Sequence, residues 1–188
     1  MNEHLRQLMH LFFGLLIAAF IWVVPQDFAT AVMATVLLIT AVLSELLVKG
    51  HKIPLISWIV GGLERDVILP AKGTLIFFLG TLFCLVIFPK EIVVPAFVVL
   101  SILDSVSTSV GVAAGRHKIY GKKSLEGTLA GMMAAFVALL VFLPVPVALG
   151  TAVLAGLVEL FSPVDDNITI PVSVCLILSA VALFQPFF

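Results

Sequence analysis

IVVPAFVVLSILDSVSTSVGVAAG, residues 92–115, decides how this chain must fold. The run is long enough to cross about 30 Å of hydrocarbon, which takes about 20 helical residues. Midway along it stands one carboxylate, Asp104. A charge at that depth is costly in lipid and marks function by default. Asp104, Ser107, Thr108, Gly111 and Gly115 recur at steps of three and four, so they share one helix face. That face is small and polar. It suits a tight helix–helix seam, with Gly111 and Gly115 in contact, or a surface turned to a ligand. The carboxylate at its head and Arg116 at its foot favour the ligand.

Six further apolar runs flank this one. The seven are Leu8–Val24, Ala29–Val48, Gly73–Phe88, Ile92–Gly115, Gly127–Leu143, Val145–Phe161 and Thr169–Phe187. The 188-residue chain is 62% hydrophobic and 11% charged, with mean hydropathy +1.26. A soluble domain is nearer half apolar and a quarter charged. One globule of this size cannot hide so much apolar surface, so lipid must cover it. The expected fold is an all-α integral membrane protein: one domain over residues 1–188, a bundle of about seven transmembrane helices. Pro89-Lys90-Glu91 and the residues around Pro144 make two very short links, so the helices they join are antiparallel neighbours. Pro89, Pro144 and Pro146 break helices where turns are needed. The first run carries His10 and has no small-residue cleavage site, so it reads as a retained span rather than a signal peptide. Cys84 and Cys175 lie inside apolar runs and read as small core residues without a disulfide framework. A net charge of −1 offers no electrostatic footprint for nucleic acid.

Lys and Arg set the orientation. With the N-terminus cytoplasmic, Arg6, Lys49, Lys52, Arg65, Lys72, Arg116, Lys118, Lys122 and Lys123 lie inside and only Lys90 outside, a positive-inside distribution. Between spans two and three, Pro54–Leu63 is apolar but too short to cross. It reads as an interfacial or re-entrant segment with Trp58 at headgroup level, or as a long loop packed on the helix ends. Glu64, Arg65 and Asp66 follow it. No internal repeat is visible, which weighs against an inverted-repeat transporter.

This topology sorts the polar residues. Every acidic residue except Asp27 and Glu91 faces the cytoplasm. Glu3, Arg6 and His10 lead into span one, and Glu45 ends span two. Asp104 precedes the basic stretch Arg116-His-Lys118-Ile-Tyr-Gly121-Lys122-Lys123-Ser124-Leu-Glu126-Gly127. Glycine-rich turns and helix N-termini bind anions through backbone amides, and Lys and Arg add counter-charge. Ser124 is also a suitable N-cap for span five. No Walker A loop is present, since Tyr120 stands where its second glycine belongs. Glu159 closes span six, and Asp165-Asp166-Asn167 follow. These are hard oxygen ligands of the kind magnesium uses beside substrate phosphates; a solvated turn capping the next helix is the other reading.

Asp104-x6-Gly111-x3-Gly115-Arg116, then Lys123-Ser124-x-Glu126-Gly127, then Glu159 with Asp166-Asn167-x-Thr169-x-Pro171, resemble the polyprenol kinase family, which includes dolichol kinase, phytol kinase and the CTP-dependent diacylglycerol kinase. The opening Glu3-x2-Arg6-x3-His10-x3-Gly14 is similar too. The elements cover most of the chain in matching order. The segment between Arg116 and Lys123 is shorter than in that family, and the chain is compact, closer to a prokaryotic core. The resemblance implies an enzyme of the prokaryotic cell membrane. It would transfer the terminal phosphate of a nucleoside triphosphate, commonly CTP, to a lipid hydroxyl at the cytoplasmic face. The acceptor would be an isoprenoid alcohol such as polyprenol, geranylgeraniol or phytol, or else diacylglycerol. On this reading Arg116 and Lys123 contact phosphates, and Gly111, Gly115, Ser124 and Gly127 line the nucleotide. Asp104, Asp166 and Asn167 hold Mg2+, or one of the two acids accepts the hydroxyl proton. Glu126 and Glu159 orient the basic residues, with Glu3, Arg6, His10 and Asp165 in support.

Two other functions fit parts of the pattern. A cytidylyltransferase would share nucleotide, metal and lipid, but would join the nucleotide to a lipid phosphate and release pyrophosphate. A small transporter would use Asp104 and Glu159 as embedded ion sites. The collection of polar residues near one face disfavours a path across the whole membrane.

Overall fold

The computed structural model describes residues 3–51 and 71–183. The segment Pro54–Leu63, with Trp58, the cluster Glu64, Arg65 and Asp66, and the tail of the seventh apolar run lie outside the described residues.

The chain is all-helical but for one small hairpin. In order come α1 (Glu3–Val23), α2 (Gln26–Val48), α3 (Lys72–Ile87), α4 (Lys90–Ala114), β1 (Lys118–Tyr120), β2 (Lys123–Ser124), α5 (Leu125–Leu139), α6 (Val145–Phe161) and α7 (Asp166–Ala182). Each helix covers one of the apolar runs. Three of them, α1, α2 and α4, are long and apolar enough to cross a membrane, while α3, α5, α6 and α7 are shorter apolar helices of 16, 15, 17 and 17 residues. α5 stops four residues before the end of its apolar run. Residues 140–143 turn instead, because the ring of Pro144 disfavours helix in the residue before it. α1 starts earlier than its apolar run does, since Glu3, Arg6 and Gln7 hydrogen-bond one another across its first turns.

The two ends of the bundle are built from different chemistry. At one end Pro25, Pro89 and Pro144 immediately precede α2, α4 and α6. There the Gln26 amide donates to the carbonyls of Leu85 and Phe88 at 2.8 and 2.9 Å. Its oxygen accepts from the Lys90 backbone N–H at 2.9 Å. The Lys90 ammonium donates to the Trp22 and Val24 carbonyls. Two residues thus satisfy the orphaned carbonyls of two helix ends and tie the α1–α2 turn to the α3–α4 turn. At the other end the caps are side chains: the Ser124 hydroxyl accepts from Gly127 N–H at 3.2 Å, and the Asp165 carboxylate accepts from Asn167 N–H at 3.1 Å.

α4 is the axis of the bundle. It packs on α1, α5 and α7, with Val93, Phe97, Leu100 and Leu103 fully enclosed. α2 lies outermost, packed mainly on α3, and leaves Leu38, Ile39 and Val42 bare. Phe12, Leu16 and Val23 on α1 and Met133 and Val137 on α5 are exposed as well. So wide an apolar surface fits a protein that lives in a membrane.

The α4–α5 crossing depends on small residues. A Cβ at Gly127 would collide with the carbonyl of Ser107, and one at Gly131 would stand 2.9 Å from the carbonyl of Leu103. Gly111 meets Gly127 from the other side. The seam reading of this face is therefore realised, and it fixes how closely the hairpin between the two helices approaches α4. Gly127→Val should lower thermal stability in detergent by about 1–3 kcal/mol through overpacking. Gly150→Ala, where a methyl meets open space, should leave stability unchanged or raise it by up to about 1 kcal/mol. Thermal unfolding of the two variants beside the parent checks both.

Candidate active site

The side-chain-capped end of the bundle encloses a cleft of about 910 Å3. Its walls come from the start of α1 (Arg6), the start of α3 (Gly73), the last three turns of α4, the hairpin, the start of α5 (Thr128), the end of α6 and the start of α7. Asp104, Gly111, Gly115, Lys123, Ser124, Glu159, Asp165, Asp166 and Asn167 all face it. Residues far apart in the chain converge because most of them sit at helix ends or on the hairpin on the same side of the bundle, with Asp104 reaching the cleft from deeper along α4.

Lys123 stands at the centre. It leaves the hairpin's second strand and points under the cleft floor. Its ammonium lies 2.9 Å from Asp166 Oδ2 and 3.0 Å from Glu159 Oε1, and it also donates to the Glu159 carbonyl. One cation thus gathers the hairpin, the end of α6 and the start of α7. The Glu159 side chain is 3% exposed as a residue, and its second oxygen is held by Thr128, with Ser107 donating to the first. Glu159 is accordingly a buried, positioned acid and not a free cleft group.

Asp166 is different. Burial pushes its carboxyl up to about 6, against the opposing pull of Lys123 and with help from Asp104 and Glu159 nearby. Lys123, although burial works against its charge, is held above its ordinary range by the two carboxylates. The two directions agree on a charged lysine facing an acid that is reluctant to ionise. Asp166 Oδ1 and Asn167 Oδ1 are both buried without a hydrogen-bond partner. Two neighbouring orphaned oxygens on a cleft wall are the donor chemistry a hard divalent cation requires. Among the described residues no three His, Cys, Asp or Glu side chains are grouped as a metal site, so any such ion would take the rest of its ligands from water or substrate.

Asp104 lies across the cleft with a separate set of partners. Its Oδ2 is 3.5 Å from His10 Nε2, and Thr108 lies 3.5 Å from its Oδ1. His10 is set edge-on against Phe77, with ring centroids 5.8 Å apart. Arg6 faces the cleft and is paired to Glu3 at 2.6 Å.

The hairpin roofs the cleft. β1 and β2 pair antiparallel, Lys118 opposite Ser124 and Tyr120 opposite Lys123, around a turn in which Gly121 takes φ +56°. Lys118, Gly121 and Lys122 line the cleft from above. Arg116, Glu126 and Gly127 do not. The Glu126 carboxylate turns back to accept from the N–H groups of Arg116 and His117 and pairs with His117 Nδ1 at 2.6 Å. That contact with His117 and the backbone donors hold its carboxyl down to about 2. Its role in the structure is to close the hairpin's neck, while Gly127 serves the α4–α5 seam. Thr128, whose hydroxyl reaches the Glu159 carboxylate, escaped the sequence reading. Its one sequence signal is the four-residue step from Ser124, which puts both on the same helix face.

Lys123→Met would leave two carboxylates without their cation. It should cost about 3–5 kcal/mol, read as a fall in folded yield and thermal midpoint, and Lys123→Met/Glu159→Gln should recover part of the loss. Asp166→Asn tests the raised carboxyl. A folded-state value above the unfolded one means that ionisation destabilises the fold, an effect absent below about pH 4 and complete above about pH 6. The variant should therefore gain thermal stability over the parent at pH 8, by about 3 kcal/mol at most, and lose that advantage by pH 4.

Comparison with known proteins yields one relative. An uncharacterized protein of Methanocaldococcus jannaschii is 27% identical over 184 residues, which is 95% of this chain and 94% of that protein. No family model matches the chain, and no solved structure matches it.

Proposed function

We propose that this protein is a lipid-alcohol kinase, moving the terminal phosphate of a nucleoside triphosphate, CTP by resemblance to the polyprenol kinases, onto the hydroxyl of a membrane lipid. All seven helices cross the bilayer in this reading, with the N-terminus and the cleft on the cytoplasmic side. The short helices are accommodated because α3, α5 and α7 begin, and α6 ends, beside a water-filled cleft that cuts into the membrane. The observation that carries the reading is the convergence on one cleft of Lys123, Glu159, Asp166, Asn167 and Asp104, with Lys123 paired to Glu159 and Asp166 and Asp104 set beside His10.

Phosphoryl transfer asks for positioning and charge neutralisation more than covalent chemistry. Lys118, Lys122 and Arg6 supply positive potential along the walls that would receive a triphosphate. Lys123 keeps the Asp166 carboxylate ionised and aimed. Magnesium fits the oxygens of Asp166 and Asn167, and when bound it would neutralise charge on the phosphates. Asp104 lines the cleft without contacting Lys123, unlike Asp165 it is not spent on capping a helix, and in this reading it takes the proton of the attacking hydroxyl. Gln26 and Lys90 tie off the far end of the bundle, which speaks against a permeation path.

Purified protein in detergent, given gamma-labelled CTP or ATP with magnesium and geranylgeraniol, phytol, a longer polyprenol or diacylglycerol, should put label into an organic-soluble product. Asp104→Asn should abolish that transfer while inserting into membranes normally; full activity in this variant would sink the assignment.

A further inference from the structure

A second cavity, of about 290 Å3, lies on the opposite flank of the α1–α4 contact. Its walls are mostly apolar: Leu8 and Leu11 on α1, Val106 and Val110 on α4. Leu8 is exposed on the outer surface of the bundle, so the cavity opens sideways, towards the lipid of the proposed membrane. Four polar side chains, His4, Gln7, Ser105 and Ser109, share the lining. Gln7 is 1% and Ser105 3% exposed, and Gln7 Oε1 and Ser105 Oγ are both buried without a hydrogen-bond partner. Orphaned polar atoms in an apolar cavity are costly and call for a partner.

The missing partner is chemically defined. Gln7 Nε2 donates to Glu3 Oε1 at 3.2 Å. A carboxylate only accepts, so this bond fixes the amide orientation and leaves Oε1 facing the cavity as an acceptor. The Ser105 hydroxyl can donate. A ligand that satisfies both groups gives one hydrogen bond and receives one, and the apolar part of the lining suits an apolar body behind that polar end. A hydroxyl does this. A carboxylate or phosphate has no proton to offer Gln7, and a plain hydrocarbon leaves both groups unpaired.

We propose that this side cavity is the entry subsite for the acceptor lipid, receiving an apolar chain by its terminal hydroxyl at the α1–α4 seam before that hydroxyl passes to Asp104 in the cleft. The assignment of the occupant as the acceptor rests on the kinase reading. The position supports it: Gln7 follows Arg6 and Ser105 follows Asp104, so the subsite and the cleft are one residue apart on both helices. Glu3 accepts from Arg6 and from Gln7, linking the two chambers through one carboxylate.

The test measures binding of tritiated geranylgeraniol to the full chain in detergent without nucleotide, in competition with the matching hydrocarbon that lacks the hydroxyl. The alcohol should bind at least tenfold more tightly than the hydrocarbon. Ser105→Ala and Gln7→Leu should each weaken alcohol binding about tenfold and leave hydrocarbon binding unchanged. In the phosphotransfer assay the same variants should raise the KM for the alcohol rather than the KM for the nucleotide. Equal binding of alcohol and hydrocarbon, or unchanged alcohol binding in the smaller Ser105→Ala variant, overturns the subsite. A parent protein that discriminates for the alcohol yet transfers no phosphate from any nucleotide overturns the kinase reading and upholds the hydroxyl site.

Discussion

The contact on which the functional end depends is the buried ammonium of Lys123 between Glu159 and Asp166. Three chain segments that share no other strong polar link meet there: the hairpin after α4, the last turn of α6 and the first turn of α7. A charge so placed loses part of its hydration, and close opposite charges and hydrogen bonds offset that loss. The surroundings supply them. Ser107 and Thr128 hold the Glu159 carboxylate, and the seam between α4 and α5 must be closed tightly for those hydroxyls to reach it. Small residues on both helices provide that closeness. The electrostatics of the cleft and the packing of the bundle are thus one problem with one solution.

Much of the architecture was legible because membrane helices advertise themselves. Each apolar run became a helix, and Pro89 and Pro144 marked the turns that precede α4 and α6. The boundaries that moved did so for local reasons. The polar first turns of α1 form a helix because Glu3 bonds Arg6 and Gln7, an arrangement that apolarity does not reveal. α7 begins at Asp166 rather than Thr169 because Asp165 caps it. The end of α5 was set too late because its apolar run includes the turn residues 140–143. The hairpin went unseen because two short strands bearing lysines have no hydrophobic alternation to betray them.

The site was legible in its membership and obscure in its wiring. Asp104 could be selected because it is the one carboxylate inside its apolar run, and Lys123, Glu159, Asp166 and Asn167 because they fall at the same end of their runs. Nothing in their spacing said that Lys123 would pair across to α6 and α7, that Glu159 would be enclosed, or that Glu126 would be spent on backbone amides at the hairpin neck. Such pairings depend on how helices rotate about their axes. Gln7 illustrates the same limit: beside Arg6 and His10 it reads as one more polar residue of a helix start, and only the packing of α1 on α4 turns its oxygen into an enclosed cavity.

The Gln26–Lys90 clasp at the far end has a mechanical consequence. It joins two interhelical turns at one point, so the helices running from it behave as the arms of tongs whose pivot is fixed. α4, at 25 residues, makes an arm of about 37 Å. Over that length a tilt of about 3° at the pivot would displace the tip by about 2 Å, so a small change of angle at the clasp is magnified where the cleft lies, while the clasped end stays almost still.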